Sequence, residues 1–117
     1  MQTLDLDIKL RSMLLESIGE TIHALLGDKP QRVLFKRLDN DFHLKREEIP
    51  ERLEDFENAL VLLLGSVIAR VITRAIARCL YAKLEMSYNN EKNWSLRMYV
   101  QDCSRQVKQN RANKLAE

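Results

Sequence analysis

Residues 59–84, ALVLLLGSVIARVITRAIARCLYAKL, decide the fold of this 117-residue chain. Their only charges before Lys83 are Arg70, Arg74 and Arg78. Four-residue spacing sets the three guanidinium groups along one edge of a helix, leaving the rest of its surface for contact with protein. A membrane-spanning helix would need about 20 consecutive apolar residues. Here residues 58–69 are uncharged, but the arginines follow at once. The segment therefore reads as the central helix of a water-soluble bundle, running over residues 66–84. Gly65-Ser66 interrupts the apolar run, which predicts a break or sharp kink there, with Ser66 capping the helix that carries the arginines.

Other helices surround it. Leu6, Leu10, Met13, Leu14, Ile18, Ile22, Leu25 and Leu26 follow three-and-four spacing and predict a first helix over residues 4–26. Asp5 and Asp7 suit its first turn, Gly27 reads as its C-cap, and Pro30 lies just beyond. Gly19 inside that helix costs about 1 kcal/mol relative to Ala and points to a close helix crossing. A short second helix is expected over residues 30–39, with Pro30 at its first position and Val33, Leu34, Phe35 and Leu38 as its apolar face. Residues 40–46, NDFHLKR, then form a turn from which Phe42 and Leu44 drop into the core. Ile49-Pro50 is a second break. A third helix begins near residue 50 or 51 and turns Leu53, Phe56, Leu60 and Leu63 or Leu64 inward. Residues 86–93, MSYNNEKN, are a loop. A last helix over residues 94–115, capped by Asn93 or Ser95, carries a thin stripe of Leu96, Val100, Cys103 and Val107.

Only three Gly and two Pro are too few for a sheet-and-turn protein. The expected fold is all-α, a bundle of about five helices. Residues 1–86 form its core, and residues 87–117 supply a loop and a polar, basic helix belonging to the same domain or to a dimerisation extension. At 117 residues the chain can bury a real core without metal or disulfide. The first residues lack the basic and apolar regions of a signal peptide, so a cytoplasmic location is expected. Cys79 and Cys103 fall in no metal-binding spacing. Cys79 is expected to be buried and Cys103 partly exposed.

Charge is divided along the chain. Residues 39–57 hold eight acids and three bases, whereas residues 66–114 hold ten bases and three acids, although the net charge is only +2. A bipolar chain suits self-association, acidic face to basic face, at least as well as nucleic acid.

The order of elements over residues 17–84 also carries a resemblance. Ile18-Gly19-Glu20, Glu48-Ile49-Pro50 with Phe56 after it, and Leu64-Gly65 stand in the order seen in NitrOD5, a small archaeal helical domain family proposed to act in signal output. The chain departs from it in having Leu-Gly where the family usually has Phe-Gly, and Thr73 where it tends to have an acid. The resemblance implies an archaeal, all-helical interaction or regulatory module with no known catalytic site.

The residues themselves suggest no catalytic, cofactor or metal site. His23 stands one turn from Glu20 and two from Glu16, the pattern of a surface histidine. His43 lies near Asp39 and Asp41 without further ligands at metal spacing. Phosphate-loop, nucleophile-elbow and zinc-protease motifs are absent. Arg70, Arg74 and Arg78 are the first candidate site. The leading expectation is that they pair with the acids around residues 47–57, within the subunit or across a homodimer, because arginine suits partly buried ion pairs; an anionic ligand is the alternative. The second candidate is the last helix, whose Arg97, Arg105, Lys108, Arg111 and Lys114 lie near Tyr88, Trp94 and Tyr99 and offer nucleic-acid contacts. Taken together, the chain is expected to be a non-enzymatic, self-associating module, with a small DNA-binding regulator as the alternative reading and a further protein as another partner.

Overall fold

The computed structural model describes residues 7–89 and 93–116, with side chains up to residue 110. Five α-helices run in the order α1 (Ile8–Leu26), α2 (Asp28–Phe42), α3 (Leu53–Leu64), α4 (Ser66–Lys83) and α5 (Leu96–Ala116), with a 3₁₀ segment, Arg46–Glu51, between α2 and α3. There is no strand among the described residues. The fold is the all-α bundle that the periodicity predicts.

Apolar spacing explains which faces turn inward. Leu10, Leu14, Ile18 and Ile22 form one buried line on α1, and Ala69, Ile72, Ile76, Ala77 and Leu80 form the matching line on α4. α4 packs on α1, α3 and α5, and so holds the centre of the bundle. Leu53, Phe56 and Leu60 of α3 and Leu96, Tyr99, Val100 and Cys103 of α5 close the same core. Each fully buried Leu, Ile or Phe stabilises the fold by roughly 1.5–3 kcal/mol. Leu44 is fully buried and Phe42 partly so, as anchors between α2 and the 3₁₀ segment. Lys83 of α4 ties this layer to α1 through Glu20 at 3.2 Å and Glu16 at 3.6 Å.

Several expected boundaries move for local reasons. The predicted start of the first helix at residue 4, and Leu6 and Asp5 with it, lies outside the described residues. Asp7 is the N-cap itself, its Oδ1 accepting from the Lys9 N–H at 2.8 Å. Pro30 stands in the first turn of α2 rather than at its first position, because Gly27 caps both α1 and α2. The second helix also runs on through Asn40, Asp41 and Phe42 and stops at His43, which adopts a left-handed conformation (φ 52, ψ 40). There the Leu44 N–H reaches back to Leu38 O at 3.0 Å and satisfies a carbonyl the helix end would leave open. Pro50 lies within the 3₁₀ segment, and α3 begins only at Leu53.

The predicted break at Gly65 is real. Its φ of 89° and ψ of 160° suit only glycine, and the chain turns there from α3 into α4. Gly65 is therefore the N-cap of α4, and Ser66, expected to cap it, is its first residue without a side-chain capping bond. Gly19 also marks a close approach, of a side chain rather than a helix: a Cβ there would lie 2.2 Å from a terminal nitrogen of Arg46. That guanidinium stacks over the Phe35 ring at 4.5 Å.

The two cysteines exchange their expected places. Cys103 is fully buried, seven residues on from Leu96 along the core-facing stripe of α5. Cys79 is half-exposed, one position off the buried Ile72–Ile76–Leu80 line, with its Sγ 3.8 Å from Glu20. Both are free thiols.

Candidate functional site

The corner where α3 meets α4 is the most distinctive surface. Val61 and Leu62 stand on the last turn of α3, and Val67, Ile68 and Val71 on the first turns of α4. Their exposures are 43% and 75%, then 75%, 49% and 54%. The expectation that the central helix faces protein nearly all round therefore fails for its first half. Among the described residues nothing covers these side chains at the Gly65 end of α4.

Val61, Val67 and Val71 also form one wall of a cleft of about 620 Å³, closed on the other side by Asn93, Trp94 and Ser95 just before α5. Arg70 and Arg74 line it. Both donate to the same oxygen, Oδ1 of Asn93, Arg74 at 3.1 Å. Arg78, a turn further on, lies over the Tyr88 ring with its guanidinium carbon 5.6 Å from the centroid. The arginine edge is thus real, but within the chain Arg70 and Arg74 bond to the segment leading into α5 and not to the acids of residues 47–57. Among the described residues no carboxylate lies within 4 Å of these three guanidinium groups.

Within one copy, Glu48, Glu51, Glu54, Asp55 and Glu57 of that acidic stretch have other partners. Glu51 pairs with Arg11 of α1, and the same guanidinium holds the carbonyl of Glu47. Asp55 meets Arg52 at 3.0 Å, and Glu54 meets Arg97 at 3.5 Å. Glu57 accepts from the Leu96 N–H at 2.9 Å. Burial raises the Glu57 carboxyl above its usual range; the Leu96 bond opposes this and the Glu54 charge adds to it.

The second candidate surface is thinner than its sequence. Arg97 is paired with Glu54, and Arg105 with Asp102 at 3.1 Å. Lys108 is exposed. Arg111 and Lys114 lie on α5, but their side chains fall outside the described residues. The neighbouring aromatics turn inward: Tyr99 is 2% exposed and its ring stands 5.1 Å from Tyr88, 5.3 Å from Trp94 and 6.0 Å from Tyr81. Burial, with the Tyr99 hydroxyl beside it, pushes Tyr88 up to about 12 against the pull of Arg74 and Arg78.

Neither histidine joins a site. Exposed His23 holds its Nδ1 2.9 Å from Gln31, and exposed His43 offers its carbonyl to Arg52 at 2.7 Å. Among the described residues no three His, Cys, Asp or Glu side chains converge as metal ligands, and no helix is long and apolar enough to cross a membrane. Chemically, the corner offers an apolar surface for another molecule and two cations for an oxyanion. Comparison of the chain with protein families, curated proteins and solved structures finds no match.

Proposed function

We propose that this protein is a non-enzymatic interaction module, of the output type that its resemblance to the NitrOD5 family implies, and that it self-associates as a homodimer through the α3–α4 corner. The observation that carries the reading is the pair Leu62 and Val67, each 75% exposed on either side of Gly65 and joined by Val61, Ile68 and Val71. Contiguous apolar patches on a soluble surface mark contact sites, and every 100 Å² covered stabilises association by roughly 2.5 kcal/mol before the costs of ordering. A two-fold axis would set this patch against its own copy.

Sedimentation velocity tests it. The wild-type chain should sediment at twice 13.7 kDa, and Leu62→Glu with Val67→Glu should sediment as a monomer of unchanged helix content. A monomeric wild type at micromolar and higher concentration would sink the reading. Direct DNA binding through α5 has less support, since Arg97 and Arg105 already hold acids of the same chain. A low-salt shift of generic duplex DNA, lost on Lys108→Ala with Arg111→Ala, would favour it instead.

A further inference from the structure

We propose that the cleft between α3, the first half of α4 and residues 93–95 binds an organic oxyanion, a phosphate ester or carboxylate carried on an apolar or aromatic body, with Arg70 and Arg74 holding its anionic head. This goes beyond self-association; because Val61, Val67 and Val71 belong to both surfaces, the dimer and the ligand draw on the same apolar wall.

Two guanidinium groups converge here on a single neutral oxygen. Each has five donors in a planar fork matched to an oxyanion, and Asn93 Oδ1 takes one from each. Cations that share an amide oxygen, with no carboxylate within 4 Å among the described residues, leave a positive potential facing the cleft. A ligand oxyanion would neutralise it with charge-assisted bonds.

The rest of the lining sets the body of the ligand. Val61, Val67 and Val71 line the cleft with apolar surface, and Trp94 adds an aromatic side chain to the lining. The volume of about 620 Å³ falls within the usual range for small-molecule sites. A bare inorganic anion would leave most of that wall in water. Glu57, the acid among the lining residues, is engaged at the start of α5, where it accepts from the Leu96 N–H.

Isothermal titration calorimetry of the full chain with phenyl phosphate, benzoate, inorganic phosphate and phenol tests this. Phenyl phosphate or benzoate should bind, the one that does identifying the head group. Inorganic phosphate should bind at least about tenfold more weakly, because the ring adds buried apolar area worth roughly 1.4 kcal/mol or more. Phenol should give no measurable heat. Arg70→Gln with Arg74→Gln should weaken binding about tenfold or more, whereas Arg97→Gln should not change it. Asn93→Asp, which places a carboxylate between the two guanidinium groups in a folded protein, should also abolish binding. Equal binding of phenyl phosphate and inorganic phosphate, binding that survives Asn93→Asp and the double arginine variant, or no heat from either organic anion would overturn the proposal. Leu62→Glu, outside the cleft lining, should disturb self-association and leave the anion bound; loss of binding in that variant would show that one copy does not make the site.

Discussion

The N–H of Leu96 donates to Glu57 Oε1 at 2.9 Å, so a half-buried carboxylate on α3 satisfies an open donor at the start of α5. This bond joins two helices 39 residues apart in the chain. Glu57→Ala should therefore lower stability by about 1–2 kcal/mol, as lost caps do, and should loosen α5 first. Amide hydrogen exchange of the first turn of α5 in that variant measures it.

The same carboxyl gives a pH dependence of defined sign. Burial holds it above its usual range, so the folded state keeps its proton longer than the unfolded chain does. Stability should then fall as pH rises from the ordinary carboxylate value through the raised one. Glu57→Gln keeps an acceptor for Leu96 and has no proton to lose; it should remove that part of the slope in urea titrations at stepped pH.

Tyr81 donates to Asp102 Oδ2 at 2.6 Å, and Asp102 also receives Gln106 at 2.8 Å and Arg105 at 3.1 Å. Tyr81→Phe leaves the ring in place and removes a bond to a charged acceptor, which should cost about 1.5–3 kcal/mol, read as a shift of the urea midpoint at constant slope. Burial, then Asp102, raises the Tyr81 phenol far above its ordinary value. It should stay protonated in the folded state at pH values where an exposed tyrosine ionises, and the fold should weaken as pH rises past that ordinary value.

The thiols should differ in reactivity. Burial pushes Cys103 up to about 12, with Asp102 adding and the Tyr81 hydroxyl opposing, whereas Cys79 is half-exposed. One thiol should react with a disulfide reagent in the native protein and two in denaturant, with Cys79→Ser removing the fast one. Two fast thiols in the native state would contradict the buried position of Cys103.

Two glycines should respond differently to alanine. Gly65→Ala places a side chain at φ 89°, ψ 160° and should cost about 1–3 kcal/mol in thermal or chemical melts. Gly19→Ala meets only the end of a flexible arginine at 2.2 Å. The helical gain of about 1 kcal/mol and the loss of Arg46 from the Phe35 ring should leave its stability nearly unchanged.

How far the sequence foretells this molecule depends on the kind of residue. The line from Leu10 to Ile22 and the Gly65 break are legible because spacing and backbone freedom are local properties. Ser95 is legible too, as a capping residue whose Oγ accepts from the Met98 N–H at 3.3 Å. The partners of Arg70, Arg74 and Arg78 are not, since charge counts show that acids exist upstream but not that Arg11, Arg52 and Arg97 reach them first. Periodicity marks Val67, Ile68 and Val71 as apolar without saying whether a neighbour covers them. Cys103 could have been placed by its seven-residue step from Leu96; the polar residues around it obscured that signal.

Tyr81, Tyr88, Trp94 and Tyr99 are all of the tyrosine and tryptophan in the chain, and they stand in one cluster where α4, the following loop and α5 meet. The tyrosine and tryptophan signals of this protein are accordingly blind to α2 and the 3₁₀ segment. Emission and near-ultraviolet ellipticity report the docking of α5, while far-ultraviolet ellipticity reports every helix. If the two kinds of signal melt together, the bundle unfolds as one unit; if emission changes first, the distance between the midpoints is the stability that α5 lacks relative to the rest.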